Sequence, residues 1–199
     1  MDRKVLIDAM PLIALYFVAL SFYGLIYMKI PGMLYGIDGP YYYVQVKHLL
    51  TQGRLKYLDP PLAFYVLAGF SLLLGDITLG VKLGSLAVIL LSVFPVYYLV
   101  KSLTRSRAAG YVSSVLLVLS GELLRMSFDL IKNAMGLTPL LFTLYLLYKS
   151  LKDRKMLVSV FSSLTLLLTG LTHILDFGVL LFILLLTFVF CLFSRKDKF

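Results

Sequence analysis

The sequence predicts an all-α, polytopic membrane protein with about six transmembrane helices, and three observations predict it. Hydrophobic residues make up 60% of the 199, and mean hydropathy is +0.94. Charged residues are only 15%, against roughly a quarter in soluble domains. The basic residues come as short clusters between long apolar runs, which is how charges that orient membrane helices are distributed.

Crossing the hydrocarbon takes about 20 mostly apolar residues as a helix, with roughly 17 the lower bound. Six runs qualify: residues 6–28, 79–100, 108–126, 137–148 with their flanks, 156–172 and 177–193. A seventh, Leu62–Leu74, is fenced by Pro60-Pro61 and Gly75-Asp76 and is only 13 residues long, short for a span but suited to a helix lying in the interface. Charge decides between the two. If this run does not cross and the N-terminus is cytoplasmic, Arg3-Lys4 and the clusters around Lys101–Arg107, Lys149–Lys155 and Arg195–Lys198 fall inside, which is 12 of the 19 Lys and Arg. If it crosses, only Arg3, Lys4, Lys82, Arg125 and Lys132 stay inside, an arrangement the positive-inside rule rejects. The chain therefore reads as one transmembrane domain over 1–199 with no soluble domain, in the cytoplasmic membrane, with both termini cytoplasmic and a first outer loop at about 29–78.

Inside that loop, Tyr42, Val46, Leu49 and Leu50 recur at helical spacing opposite Gln45, Lys47, His48 and Gln52. This predicts a short amphipathic interfacial helix, ended by Gly53. Tyrosines 35, 41, 42, 43, 57 and 65 suit headgroup depth.

Composition also excludes. A net charge of +9 in dispersed clusters is no nucleic-acid footprint. Cys191 is the single cysteine, so no intrachain disulfide or cysteine metal site is available. The first apolar run is longer than a signal-peptide core and lacks a small-x-small cleavage site, so it reads as a retained anchor. There is no glycine-rich phosphate loop, His-Glu-x-x-His or Gly-x-Ser-x-Gly.

The polar residues outside the basic clusters gather on the outer side. Asp38, on Gly36-Ile37-Asp38-Gly39-Pro40, can serve as general base or metal ligand over a membrane-bound substrate. It can equally cap the helix that follows. Glu122, Arg125 and Asp129 share one helical face and can form an ion-pair ladder. Alternatively Asp129 meets Asp38, with Mg or Mn between the two carboxylates, while Arg125 or Lys132 receives an anion. His173, beside Asp176, can donate to phosphate or simply sit at the headgroup layer. Lys82 is expected to snorkel outward.

This arrangement resembles the GT-C superfamily of membrane glycosyltransferases, which includes protein O-mannosyltransferases, aminoarabinose transferases and the catalytic subunit of oligosaccharyltransferase. The residues that carry the likeness are Asp38 before Tyr41-Tyr42, Pro60-Pro61-Leu62-Ala63-Phe64-Tyr65, Asp129 to Asn133, and Leu171-Thr172-His173. The Asp-x-x-Lys-Asn form and the small loops are similar to archaeal members. Six spans, against seven or more in the family module, imply a short or truncated member.

The resemblance implies a sugar donor on polyprenyl phosphate, approached from within the bilayer, and transfer to an acceptor at the extracytoplasmic face. It makes Asp38 and Asp129 the loop acids, as catalytic residues or metal ligands. Arg125, Lys132 and His173 are then the groups that meet the lipid phosphate. Membrane lipids, and a further membrane subunit, are the expected partners. The alternative is a non-catalytic subunit or lipid-binding scaffold of a larger transferase. A small transporter fits less well, because it needs polar residues near the midplane.

Overall fold

A computed structural model describes residues 3–29 and 38–194. Met33 to Ile37, and with them Tyr35 and the start of the Asp38 turn, lie outside the described residues, as does the Arg195–Lys198 cluster.

The described residues form ten helices in order: α1 Arg3–Lys29, α2 Gly39–Gln52, α3 Leu62–Leu74, α4 Ile77–Leu90, α5 Val93–Thr104, α6 Arg107–Val118, α7 Gly121–Asp129, α8 Ile131–Asp153, α9 Met156–Thr172 and α10 Ile174–Ser194. Local chemistry sets their ends. Asp76, Ser106 and Ser120 are N-caps whose side chains accept from Leu79, Ala109 and Leu123, each satisfying an otherwise orphaned N–H. Gly53 and Gly75 close α2 and α3 at φ 71° and 70°, a left-handed conformation that a residue without Cβ adopts cheaply.

By length and composition four segments among the described residues can cross a bilayer: Leu6–Lys29, the continuous Ile77–Thr104 (α4 and α5), Ile131–Asp153 and Ile174–Phe193. The all-α polytopic reading stands, and the third expected span is refined. Residues 108–126 do not form one rod, because Ser120 caps a new helix and α7 leaves α6 at 46°. Counted as one broken span, this pair makes five. α9, with 17 apolar residues, is at the lower limit for the hydrocarbon. Most of the described α10 side chains are exposed and apolar, and Leu180 alone among them is buried, which suits a surface facing lipid.

α3 folds back on α4 as a hairpin arm, with Ser71 against Gly80 and Phe70 against Gly84. A Cβ at Gly80 would sit 2.5 Å from the Ser71 nitrogen, and backbone cannot swing aside as a side-chain tip can. Gly80→Ala is therefore expected to destabilise the protein by about 1–3 kcal/mol, the usual range for overpacking. Thermal unfolding in detergent checks this.

Contacts between helices sort the charges onto two ends. At one end Asp8 of α1, 3% exposed, is ion-paired to Lys101 of α5. Arg107 Nε of α6 lies 2.9 Å from the other carboxylate oxygen, Oδ1, within ion-pair range although its N–H is not aimed at it. Tyr111 donates to the Asp8 carbonyl at 3.2 Å, and Tyr148 of α8 donates to Ser102 O at 3.2 Å. The basic clusters of α5, α6 and the α8 C-terminus therefore share this end. At the other, Tyr27 of α1 bonds Ser127 of α7, and the loop with α2, the start of α8 and the α9–α10 junction gather there. Lys82, expected to snorkel, is instead buried in α4.

Candidate functional site

The site is built at the loop end, beginning with α2. Pro40 occupies its first turn, where a missing N–H costs nothing. Asp38 is the N-cap, and its carbonyl accepts from Tyr42 N at 3.2 Å. Its half-buried carboxylate takes no cap hydrogen bond. The capping account thus explains the Asp38 backbone but not its charge.

One turn on, Gln45 corrects the amphipathic reading. Expected on the wet face, it is 0% exposed because its amide ties the returning loop to the helix. Gln45 Oε1 accepts from Lys56 N at 2.8 Å and Tyr57 N at 3.1 Å, and Nε2 donates to Tyr57 O at 3.1 Å and Tyr41 Oη at 2.9 Å. A buried amide with all these bonds met stabilises, where an unmet one would cost about 1–3 kcal/mol. The clamp carries the loop round to Asp59.

The Asp59 carboxylate receives the Tyr41 hydroxyl at 2.5 Å and is ion-paired to Lys132 of α8. Both charged side chains are 14% exposed. The Lys132 ammonium also lies 5.8 Å from the Tyr41 ring centre and 5.6 Å from that of Phe64, within cation–π range. Its backbone N–H donates to the buried Tyr42 hydroxyl at 3.0 Å. A lysine in the first turn of a helix faces the positive end of the helix dipole. The spot is therefore electropositive, and Asp59 offsets it. Burial first, and then the hydrogen bond to Asp59, push the Tyr41 phenol up to about 12, so it remains a donor at neutral pH. Burial likewise raises Tyr42.

Directly below is a cleft of about 200 Å³ between α3, α8 and α9, lined by Ala63, Val66, Met135, Phe142, Leu168 and Thr172 among others. Its rim is set by sequence neighbourhood. Leu62 follows Asp59 by three residues, Met135 follows Lys132 by one helical turn, and Thr172 adjoins His173. The apolar lining thus belongs to the same stretches of α3, α8 and α9 that carry or adjoin Asp59, Lys132 and His173. A larger cleft of about 530 Å³ between α1, α3 and α4, lined by Gly24, Met28, Phe70 and Leu83 among others, has no ion pair at its lining.

Of the residues singled out from sequence, Asp38, Lys132, Asp129, Arg125 and His173 all lie toward this end, but only some converge. Asp38 and Lys132 meet around Tyr41 and Tyr42. Their third member is Asp59, whose charge and that of Asp38 both act on those two phenols. Asp129 ends α7 half-buried. No ion pair holds it among the described residues, and no described contact brings it to Asp38. The expected ladder is reduced to Arg125 Nε–Glu122 Oε2 at 3.7 Å, on side chains 65% and 79% exposed, a pair worth little.

His173 pairs with Asp176, Nδ1 to Oδ2, at 3.1 Å. For a divalent cation the fit is poor. No three acidic, imidazole or thiol groups gather among the described residues, and the second carboxylate beside Asp38 is already neutralised by Lys132.

Sequence reasoning missed Asp59 because a carboxylate before Pro-Pro reads as a loop boundary. The available signal was the pairing of a lone acid with the lone lysine that opens α8.

Comparison with known proteins identifies a family. Residues 59–198, well over half the chain, fit the sequence model of the dolichyl-phosphate-mannose-protein mannosyltransferase family. No curated protein and no solved structure is significantly similar.

Proposed function

The chain belongs to the dolichyl-phosphate-mannose-protein mannosyltransferase family, whose members are membrane glycosyltransferases of the GT-C type, and from that premise we propose that it transfers a sugar from a polyprenyl-phosphate-linked donor to an acceptor at the extracytoplasmic face. One arrangement carries the reading: Lys132, paired with Asp59 and set over Phe64, stands one helical turn from Met135 in the lining of an apolar cleft. A headgroup whose first isoprenyl units lie between Val66 and Phe142 brings its phosphate to that ammonium. Lys132 has three N–H donors; one serves Asp59, leaving others for phosphate oxygens.

The reaction is an inverting displacement. An acceptor oxygen attacks the anomeric carbon as the bond to the phosphate oxygen breaks. The electron pair leaves with the polyprenyl phosphate, and Asp38 takes the acceptor proton. Lys132, and His173 across the rim, stabilise the charge that grows on the departing phosphate, a term that often dominates catalysis. Asp59 and Tyr41 orient Lys132. Arg125, Asp129 and a metal have no part in this scheme. Placing the basic end in the cytoplasm, as the positive-inside rule requires, puts Asp38, Lys132 and His173 outside.

The test uses proteoliposomes. Asp38→Asn is expected to slow consumption of the lipid-linked sugar about 10²-fold, the lower range for a lost general base. Unchanged turnover removes Asp38 from the chemistry. A wild-type protein that binds the carrier lipid but never consumes the donor would make it a subunit rather than the transferase.

A further inference from the structure

The α9–α10 junction holds a pair of ionisable groups that the scheme above uses only in part. His173 is the C-cap of α9 in extended conformation, with its N–H bonded to Thr169 O at 2.8 Å and its carbonyl receiving Phe177 N at 3.2 Å. The ring is thus hung from a backbone fixed on both sides. Asp176 lies in the first turn of α10, where a carboxylate ordinarily accepts backbone N–H groups. Among the described contacts it accepts none.

Asp176 turns instead to His173, Oδ2 to Nδ1, with the two side chains 19% and 10% exposed. The 3.1 Å contact is within ion-pair range but does not have hydrogen-bond geometry, so neither atom has a hydrogen-bond partner. Space for the carboxylate comes from α8. A Cβ on Gly136 would run into Asp176 Oδ2 and come within 3.1 Å of His173 Cβ. Two buried polar atoms left with only each other, against a helix that lacks a side chain where they meet, describe a built arrangement rather than a cap.

We infer that Asp176 is a positioning residue for His173, seated by the gap at Gly136, which fixes the imidazole so that Nε2 serves the phosphate of a prenyl phosphate at the cleft rim. This rests on the proposed transfer reaction. When the phosphate binds, the ring is the imidazolium, with Nδ1–H on Asp176 and Nε2–H on a phosphate oxygen. The carboxylate offsets the charge and holds the ring plane. Partners that orient a functional imidazole through its other nitrogen are typically worth about 10–100-fold in metal sites, and a similar lever applies here.

The test combines turnover with ¹⁵N NMR of the imidazoles. The chain has two histidines, and His48, bonded to Arg54 O at 2.8 Å, is assigned by a His48→Asn variant. Asp176→Asn is expected to lower turnover about tenfold, Asp176→Glu to restore part of it, and Gly136→Ala to reproduce the loss. His173→Gln with Asp176→Asn should be no worse than His173→Gln alone.

In wild type, adding a short-chain prenyl phosphate should bring both ring nitrogens of His173 to the protonated position; in Asp176→Asn it should not. Unchanged turnover and unchanged His173 signals in Asp176→Asn, or losses that add in the double variant, overturn the positioning role. Loss of the transfer reading shows separately, as donor turnover that is absent in wild type or indifferent to Lys132. In that event the NMR comparison still decides whether Asp176 sets the ring.

Discussion

Lys132→Met is expected to cut donor turnover by about 10²–10³-fold, the range for removing one electrostatic donor from a developing oxyanion. Methionine keeps an unbranched apolar side chain beside Tyr41 and Phe64 and removes the ammonium that lies over their rings, so the loss isolates the charge. Lys132→Arg is not a conservative control, because the planar fork pairs bidentately with a carboxylate and stacks on ring faces, which draws its donors toward Asp59, Tyr41 and Phe64 and away from a phosphate. Asp59→Asn gives the useful contrast. The ammonium stays but loses its anchor, so turnover should fall about tenfold, well short of the loss in Lys132→Met. Equal losses in the two variants would mean that Asp59 itself touches substrate. Steady-state assays in proteoliposomes distinguish these outcomes.

The second large effect lies at the opposite end and concerns stability. Asp8→Ala is expected to cost about 3 kcal/mol, the low end for breaking a buried ion pair by removing one partner. The low end applies because Arg107 is half exposed and can regain water. The triad of Asp8, Lys101 and Arg107 ties α1 to α5 and α6, so the variant should loosen α1 first. A Lys101→Met change in the Asp8→Ala background should recover part of the loss, since it removes the stranded cation. Thermal unfolding in detergent measures both. Once folded, the Asp8 variant should retain donor turnover, because the triad sits at the far end from Lys132.

Most of the fold was legible because membrane helices announce themselves by length and hydropathy. The departures have local causes. The apolar run at 108–126 reads as a rod, but Ser120 offers a side-chain oxygen to Leu123 N and restarts the helix at an angle. Asp8 passed unnoticed inside an apolar run, although an acid in the first turn of a span with Lys101 and Arg107 at the facing helix ends is the pattern of a compensated membrane charge.

At the site, Asp38 stood out as a carboxylate on the turn before an amphipathic helix, and Lys132 and His173 as polar groups beside apolar runs. Periodicity placed Gln45 on the wet face, since it cannot foresee that residues 56–57 return to bond a glutamine. The same return brings Asp59 to Lys132, 73 positions away. Asp129 was chosen over Asp59 because adjacency to a span is visible in a sequence and loop closure is not.

In the proposed reaction a prenyl phosphate lies with its chain in the α3–α8–α9 cleft and its phosphate on Lys132. Native mass spectrometry of the purified protein with polyprenyl phosphate tests it most directly. One lipid should bind per chain, Lys132→Met should weaken binding at least tenfold, Val66→Trp should abolish it by filling the cleft, and Gly24→Leu, in the larger cleft beside α1, should leave it unchanged. Binding that survives both Lys132→Met and Val66→Trp, or that is lost in Gly24→Leu alone, would contradict the account.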